Sequence, residues 1–378
     1  MPSVVPVRGD EMIEEFINLA PRLYRELGDD QWVPPLSSDI RRFMDASVNP
    51  YFAEAEIEHF LALDSNGRTV GRISATIDPA YVERFGKTGF FGWFECVNDP
   101  EVASALLRTA ETWVAERGME RVAGPYSYCA TQEFGLLVDG YDNRPAVFQP
   151  HNPPYYRQLL EDAGYGPDFR TNTFSWFAER DAGLMEPLIR RGEELRDKLG
   201  LTVRDLDLER WDSEVDLVQE LLAASFAENH DMVPISKPVL RFQLGELREL
   251  IDPRLTRIVE HEGRAVAFSM LAADGNELLK VADGTVTEEF AARYEELKAN
   301  IRGTVVLMMG ARPEFEGQGV GRVLVGEIAR VVLGRIASYR DMHTTWIHEH
   351  NWQSRAYLAH TKTGPARTYA VYGKDLAL

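Results

Sequence analysis

Residues 305–322 read Val305-Val306-Leu307-Met308-Met309-Gly310-Ala311, then Arg312-Pro313-Glu314-Phe315, then Glu316-Gly317-Gln318-Gly319-Val320-Gly321-Arg322. The first run is continuously apolar and is bounded by Gly303 and Pro313, which predicts a strand buried on both faces. From Val320 onward, apolar residues recur at helical spacing, at positions 320, 323, 324, 328, 331, 332 and 336. The segment is therefore predicted to form a strand, a glycine loop and a helix in succession.

The three loop glycines, Gly317, Gly319 and Gly321, indicate a phosphate site. Without Cβ atoms, the backbone bends tightly and lets a ligand approach its amide N–H groups. These N–H groups lie at the start of a helix, where hydrogen-bond donors without a partner and the helix dipole favour the binding of an anion. A Walker loop needs lysine after Gly321 and a dinucleotide fingerprint needs glycine there, but residue 322 is arginine. The alternative is a glycine turn that only packs the helix close to the strand.

A second pattern follows this helix. Residues 343–348 alternate as a strand, residues 351–357 (Asn-Trp-Gln-Ser-Arg-Ala-Tyr) open a helix that closes at Gly364, and residues 369–372 form a last short strand. The glycine loop and this Asn-x-x-Ser-x-x-Tyr pattern resemble the two signatures of the GNAT acyltransferase superfamily, in that order. The resemblance implies an α/β fold with a mixed sheet, and acetyl-CoA or another acyl-CoA as co-substrate.

The resemblance also implies which residues contact the co-substrate. Pantetheine would lie along the strand backbone at Met309, Gly310 and Ala311. The pyrophosphate would lie in the loop of Glu316, Gly317, Gln318, Gly319, Val320, Gly321 and Arg322. Asn351 and Ser354 would face pantetheine and adenosine. Tyr357 would lie near the leaving thiolate, and a phenol with a pKa of about 10 is a suitable proton donor to it.

Glu316 departs from the family pattern, in which this position is usually arginine or glutamine. A carboxylate next to a pyrophosphate is electrostatically unfavourable. Two explanations remain open: Arg312 and Arg322 offset the charge, or Glu316 points away from the ligand.

The general base is not evident, because the strand of residues 305–311 carries no carboxylate. Glu349, His348, His350 or a chain of ordered water are the candidates, since this strand end borders the cleft where an amine would attack. His348 and His350 lie on one face of the strand end, but a metal site needs a third ligand and supporting hydrogen bonds. We therefore expect no metal.

Length and composition set the broad class. A chain of 378 residues suggests two or three domains, and its 44% apolar content supports packed cores. There is no run long enough to span a membrane, and the first residues lack the pattern of a secretory signal. Two cysteines, Cys96 and Cys129, indicate a reducing compartment rather than a disulfide framework, so we expect a cytoplasmic protein. Cys129 is interpreted as a small buried apolar residue.

The formal net charge of −19 argues against nucleic acid or an anionic membrane as the main partner. It is compatible with a cationic or neutral amine. The expected partner is a small-molecule acceptor, and the sequence does not indicate the acceptor, the acyl length or the oligomeric state.

The first half repeats the element order of the second. Asn152-x-x-Tyr155-Tyr156 resembles the second signature again, but residues 95–100 contain two acids and no glycine loop. Residues 89–95 and 135–142 also resemble a group of bacterial two-domain GNAT proteins. Residues 1–178 are thus predicted to be a degenerate GNAT-like module, structural or on the substrate side, and residues 179–378 the catalytic module. An aromatic group in the first half is a candidate pocket wall: Trp93, Tyr126, Tyr128, Phe134, Tyr141, Tyr155 and Tyr156.

The sequence thus predicts two tandem GNAT folds and an N-acyltransferase. The expected reaction is acetyl transfer to a small-molecule amine by direct attack on the thioester. The alternatives are a non-catalytic acyl-CoA-binding or regulatory protein, and an acyltransferase with a different donor or a hydroxyl acceptor.

Overall fold

The computed structural model describes residues 2–128, 133–225, 233, 235–248, 251–351, 354 and 363–376. The first half contains β1 (Ser3–Pro6), α1 (Gly9–Leu27), α2 (Ser37–Met44), β2 (Glu56–Leu63), β3 (Thr69–Ile77), α3 (Pro79–Phe85), β4 (Thr88–Cys96), α4 (Pro100–Ala115), β5 (Arg121–Gly124), β6 (Leu136–Asp139), α5 (Tyr156–Asp162) and β7 (Gly166–Thr173).

The second half begins with β8 (Ser175–Phe177), α6 (Ala178–Lys198), β9 (Leu201–Asp205), α7 (Trp211–Ser225), α8 (Lys237–Leu247), β10 (Arg257–His261) and β11 (Arg264–Ala273). It continues with α9 (Asn276–Ala282), α10 (Glu288–Ala299), β12 (Gly303–Ala311), α11 (Val320–Val332), β13 (Asp341–Thr344), β14 (Ile347–His348) and β15 (Arg367–Asp375).

The first sheet has the strand order β1-β2-β3-β4-β5-β15-β7-β14, and β6 pairs with β15. The β2–β3 hairpin follows from its turn, where Asp64 Oδ1 accepts the N–H groups of Asn66 (2.8 Å) and Arg68 (2.9 Å) and Gly67 has a φ of +79°. Apolar residues of α4 and α5, including Leu106 and Leu160, pack with this sheet into the largest core of the first half.

The second sheet has the order β8-β13-β12-β11-β10-β9, and β12 and β13 are parallel. One face carries α6 and α11, whose side chains pack on Trp176, Leu271 and Met342. The other face carries α7 and α8, which pack on Ile258, Phe268 and Met270. The two mixed sheets flanked by helices confirm the predicted α/β class.

The two sheets exchange strands. β8 precedes α6 but pairs with β13 of the second sheet, whereas β14 and β15 leave the second half and pair with β7 of the first sheet. The predicted division at residue 178 therefore follows chain order and stays a prediction, while the sheets cross it. The continuous strand predicted over residues 343–348 was wrong, because the chain passes from β13 to the first sheet at Thr345 and Trp346.

Strand β12 corrects another expectation. Only its first three residues, from Gly303 to Val305, are buried, and Val306–Ala311 is half-buried. The reason is that β13 pairs with β12 only as far as Val306, so the rest of the strand has an open edge.

Candidate functional site

A gap opens in the second sheet where β12 and β13 separate. Their last paired residues are Val306 and Thr344. On the other side of β12, Met270 lies opposite Met308 and Leu271 opposite Val306, so Leu307 is an extra, bulged residue. Thr345 Oγ1 donates to the carbonyl oxygens of Val306 and Leu307 (3.1 Å each) and closes the narrow end of the gap. Beyond this point, the backbone edge of β12 faces the gap. Bulges of this kind are common beside active sites.

The glycine loop lies at the wide end of this gap. Gly317 and Gly319 have φ values of +70° and +99°, which an L side chain rarely adopts. Gly319 is the N-cap of α11 and offers no side chain to its amides. Among the described residues, the N–H groups of Gly317, Gly319, Val320 and Gly321 have no hydrogen-bond partner. Helix α11 therefore begins with a set of open amides at its positive end.

The charged side chains beside the loop differ in how far they are already engaged by other residues. Arg312 is only 8% exposed, and its guanidinium donates to Ala265 O (2.9 Å) and pairs with Glu220 (2.6 Å). It therefore does not offset Glu316. Arg322 and Glu316 are both exposed, and neither forms an ion pair within the described part of the chain. Of these two arginines, Arg322 is therefore the one that can pair with a phosphate bound at the loop.

The first module has the same gap with its ligand sites filled. β4 pairs with β5 only over Thr88–Phe90, and β4 is also bulged, at Trp93 and Phe94 opposite Ile73. Further along β4, the Cys96 N–H donates to Tyr156 Oη and the Cys96 carbonyl accepts from Tyr155 Oη (2.8 Å each).

The helix beyond this gap, α4, is also closed to a ligand. Asp99 caps it and accepts the Glu101 N–H at 2.8 Å. A carboxylate thus occupies the place where α11 has open amides.

The second predicted signature lies partly outside the described residues. Asn351 Oδ1 accepts the Ser354 N–H at 2.9 Å, which is the geometry of an asparagine N-cap and agrees with the predicted helix start. Tyr357 and Cys129 lie outside the described residues, so the role given to each stays a prediction.

The predicted bases lie at the edge of the first sheet. Glu349 Oε1 accepts the Arg170 N–H at 2.8 Å, which ties the chain after β14 to β7. His348 packs on Phe169 with ring centroids 4.7 Å apart, and the exposed His350 lies 5.4 Å from His348 by the same measure. Their catalytic roles stay predictions.

The aromatic residues of the first half reach the gap at one point. Tyr126 stacks on Phe134 (ring centroids 5.5 Å apart), and Phe134 packs on Trp346 at 4.6 Å, beside Thr345. Tyr128 is fully buried, and a hydrogen bond of 2.7 Å joins its Oη to His59 Nε2. Tyr141 donates to Leu137 O (2.6 Å). Phe134 is thus the member of this group that contacts the strand crossover.

Sequence reasoning missed a cavity of about 700 Å³ beside the starts of β12 and β13. Its walls come from distant parts of the chain: residues 143–145, β8 and the start of α6, Asp274 and Glu277, the starts of β12 and β13, and residues 363–366. No local spacing connects these segments, so no sequence signal could have identified the cavity.

Metal sites and membrane-spanning helices were considered as well. Within the described ranges, no three His, Cys, Asp or Glu side chains are grouped so that they could hold a metal ion. None of the described helices is both long enough and apolar enough to cross a membrane.

Comparison with known proteins gives two curated relatives. The bacterial ceramide synthase of Caulobacter vibrioides is 30% identical over 383 residues, covering 99% of this chain and 97% of that protein. Protein YghO of Escherichia coli is 27% identical over 370 residues, covering 96% of this chain and 93% of that protein. No family model matches the chain.

Solved structures match over the whole chain. A tandem GNAT protein from the clavulanic acid biosynthesis pathway aligns with a TM-score of 0.57 and 14% identity, covering 100% of this chain and 99% of that one. A GCN5-related N-acetyltransferase from Sphaerobacter thermophilus aligns with a TM-score of 0.52 and 12% identity, covering 98% and 95%. At these identities the likeness concerns the fold, and both structures are GNAT folds.

Proposed function

Because the chain belongs to the family of the bacterial ceramide synthase of Caulobacter vibrioides and has the fold of tandem GNAT proteins, we propose that it is an acyl-CoA-dependent N-acyltransferase. A ceramide is the amide of a long-chain amino alcohol and a fatty acid. The proposed acceptor is accordingly a long-chain amine, and the proposed donor is a fatty acyl-CoA rather than acetyl-CoA.

One observation carries the proposal: the open N-terminus of α11 lies beside the open edge of β12. The amides of Gly317, Gly319, Val320 and Gly321, together with Arg322, are suited to the pyrophosphate of CoA. The half-buried backbone of Met309 is suited to the amide groups of pantetheine. Ala311 is less available, because its carbonyl accepts a hydrogen bond from Ser225 Oγ at 3.0 Å.

The proposed chemistry is direct transfer. The amine nitrogen attacks the thioester carbon, a C–N bond forms, and the C–S bond breaks as CoA leaves. An acceptor ammonium loses one proton before attack, the nitrogen loses a second on amide formation, and the thiolate gains one. Tyr357 is proposed to supply the proton to the thiolate. The backbone N–H groups at the Leu307 bulge are proposed to stabilise the oxygen that becomes negative in this step.

The test measures binding of CoA and of acyl-CoAs of increasing chain length by calorimetry. The Gly321→Glu variant puts a carboxylate among the open amides. Two like charges about 4 Å apart repel by about 4 kcal/mol at an effective dielectric of about 20, so we expect at least about 100-fold weaker binding. Gly183→Glu is the matched control, because a Cβ there meets nothing within 4 Å and the residue is exposed.

Two outcomes would contradict the proposal. If the wild type binds no CoA ester, or if Gly321→Glu binds as well as Gly183→Glu, the loop is not the phosphate site. If acyl-CoA binds but no amine is acylated, the non-catalytic acyl-CoA-binding alternative is favoured. Transfer to an alcohol but not to an amine would favour the hydroxyl acceptor.

A further inference from the structure

The cavity beside the starts of β12 and β13 is separate from the gap proposed for the thioester. Ala146 and Val147 pack with Val305, and Gln149 Nε2 donates to Thr344 O at 2.9 Å. None of these five residues lines the cavity. The segment of residues 146–149 therefore lies between the cavity and the bulge of β12, and a molecule in the cavity occupies a site of its own.

Both modules contribute walls to this cavity. Asn143 Nδ2 donates to Ala366 O at 2.6 Å, in the wall that leads into β15 of the first sheet. The second module contributes Asp341 of β13 and Phe177 of β8, which are paired residues, so their side chains project to the same face of the second sheet. A bound molecule would thus contact both modules.

A buried carboxylate at the cavity has one open oxygen. Asp274 is 5% exposed, and its Oδ1 accepts the N–H groups of Val147 (2.8 Å) and Asn276 (3.2 Å). Its Oδ2 has no partner among the described residues. Residue 303 is glycine, and a Cβ there would lie 3.4 Å from this Oδ2. Since a buried carboxylate oxygen without a partner is unfavourable, Oδ2 is suited to a donor from a ligand.

Half of the charged side chains at the cavity are engaged and half are not. Arg180 and Asp181 form an ion pair (2.8 Å) and neutralise each other, and Glu277 Oε1 accepts the Gly303 N–H at 2.8 Å. Three further charged side chains line the cavity and have no ion pair in the described part of the chain: Arg144, Asp274 and Asp341. One cation and two carboxylates are therefore left for a ligand.

These opposite charges lie near one another without pairing. Burial raises the pKa of Asp274 to about 6, and Arg144 acts against that rise, so the two groups are within electrostatic range. Burial, with a smaller effect of Arg144, lowers the pKa of His343 to about 4, so this neighbouring imidazole is neutral at physiological pH. It adds no positive charge beside the carboxylates. A molecule with charges of both signs matches this arrangement.

We propose that the cavity binds a small zwitterion, which carries a primary ammonium and either a carboxylate or a phosphate. The ammonium donates to Asp274 Oδ2 and to Asp341. The anionic group pairs with Arg144, because a guanidinium binds carboxylates and phosphates alike. Phe177 is half-buried and Leu184 is 36% exposed, and they offer apolar surface to the rest of the molecule. This binding does not depend on the proposed acyl transfer.

The experiment is calorimetry on the full chain at pH 7 without acyl-CoA. The zwitterions are glycine, β-alanine and γ-aminobutyrate, whose charges lie progressively further apart, and phosphoethanolamine, which has a phosphate in place of the carboxylate. Ethylamine and acetate carry one charge each. We expect the best zwitterion to bind at least about tenfold more tightly than ethylamine or acetate, because it makes both sets of charged hydrogen bonds.

Two variants assign the ends of the zwitterion. Arg144 is exposed and has no hydrogen bond among the described residues, so Arg144→Met should fold normally. It should bind the zwitterion at least about tenfold more weakly but ethylamine as well as or better than the wild type, because a repelling cation is removed. Asp341→Asn should bind both more weakly. Arg293→Met, which removes an exposed arginine of α10 outside the cavity, is the control and should match the wild type.

Two results would overturn the proposal. The first is that no zwitterion binds more tightly than both ethylamine and acetate. The second is that Arg144→Met and Arg293→Met bind the zwitterion equally well, because the anionic group would then lie elsewhere. Binding of phosphoethanolamine alone, or of the amino acids alone, would support the proposal and identify the anionic group. Neither overturning result bears on acyl transfer, which the comparison of Gly321→Glu with Gly183→Glu tests.

Discussion

Glu316 places a carboxylate on a loop proposed to hold a pyrophosphate. Both the loop and Glu316 are exposed, and a pair of charges about 4 Å apart in water interacts by about 1 kcal/mol. We therefore expect Glu316→Gln to bind acyl-CoA about threefold to tenfold more tightly, and the gain to shrink at high salt. Calorimetry at two salt concentrations measures this.

Two further variants test the Glu316 prediction, one as a control and one of opposite charge. Glu314→Gln changes an exposed carboxylate two residues earlier, paired with Arg264 at 3.2 Å, and should leave the affinity unchanged. Arg322→Ala should weaken binding. An equal effect of Glu316→Gln and Glu314→Gln would mean that Glu316 faces away from the ligand.

A buried ion pair stabilises the first module. Arg72 donates to Phe16 O (2.6 Å) and lies 3.7 Å from Glu95, whose carboxylate also accepts from Tyr156 Oη (2.6 Å). Removing one partner of such a pair costs about 3–5 kcal/mol, so Arg72→Met should lower the free energy of unfolding by about that amount in urea titrations. The control is Arg68→Met, because Arg68 lies on the same hairpin as Arg72 but forms an exposed ion pair, with Glu26. Its replacement should lower the free energy of unfolding by at most about 1 kcal/mol.

The loss in Arg72→Met should depend on pH. Burial raises the pKa of Glu95, and Arg72 acts against that rise. Without Arg72, folded Glu95 binds its proton more readily than unfolded Glu95 does, so stability falls as pH rises above the usual glutamate pKa of about 4.3. The deficit against wild type should thus be smaller near pH 4 than at pH 8, and a constant deficit would contradict this account.

Single residues were predictable where the signal was local. The strand, glycine loop and helix from Val305 to Val332 are confirmed, because glycine content and apolar spacing are properties of neighbouring residues. Of the two arginines that could offset Glu316, Arg312 is instead bound to Ala265 O and Glu220, which neighbouring residues in the sequence do not reveal.

At the scale of elements, helices α6 and α11 cross with glycine on glycine. A Cβ on Gly192 would lie 3.1 Å from Gly326 Cα, and one on Gly326 would lie 3.1 Å from Leu188 O. The same helix pair supports the glycine loop, because Leu195 of α6 packs within 3.3 Å of where a Cβ of Gly319 would be. The position of the loop therefore depends on how closely these helices approach.

This crossing gives a prediction for Gly192→Leu. Overpacking a tight contact costs about 1–3 kcal/mol, so we expect a lower free energy of unfolding and, because the helices separate, weaker acyl-CoA binding. Gly183→Leu makes the same change in the same helix where a Cβ meets nothing, and should leave the stability unchanged or slightly higher. If both variants unfold at the same urea concentration, the crossing is not tightly packed.

Long, periodic elements were predictable and short ones were not. Apolar spacing predicts helices over residues 10–27, 101–117 and 183–198, and turn residues predict hairpins at Asn66-Gly67 and Glu262-Gly263. The structure has these elements as α1, α4, α6, β2–β3 and β10–β11, with bounds that differ by a few residues. By contrast, β6, β8 and β14 have two to four residues, too few for a period to show. Their pairing with strands distant in the sequence holds them in place, and a single sequence does not reveal such partners.

At the scale of the whole molecule, the last strand completes the first sheet. β15 lies between β5 and β7 and pairs with both. Its first residue, Arg367, is 1% exposed and donates to Asn143 O and to Pro150 O, the latter at 3.3 Å. The first module is therefore incomplete without the end of the chain.

We expect a fragment of residues 1–178 to lack a cooperative urea transition when it is alone. A synthetic peptide of residues 363–378 should bind the fragment and restore the transition, because it supplies β15. A peptide of the same composition in scrambled order is the control. A fragment that unfolds cooperatively without the peptide would show that β15 is dispensable.

The position of β15 also constrains the order of events during synthesis. Domains at the start of a chain usually fold first, at elongation rates of about 5–20 residues per second. Here roughly 200 residues separate β7 from the end of β15, so the ribosome needs about 10–40 s more before the first sheet can close. Throughout that interval the edges of β5 and β7 have no strand between them and can pair with other nascent chains. A chain that stops before residue 367 keeps both edges open, so premature termination in the second half should produce an aggregating product rather than a separate folded first module.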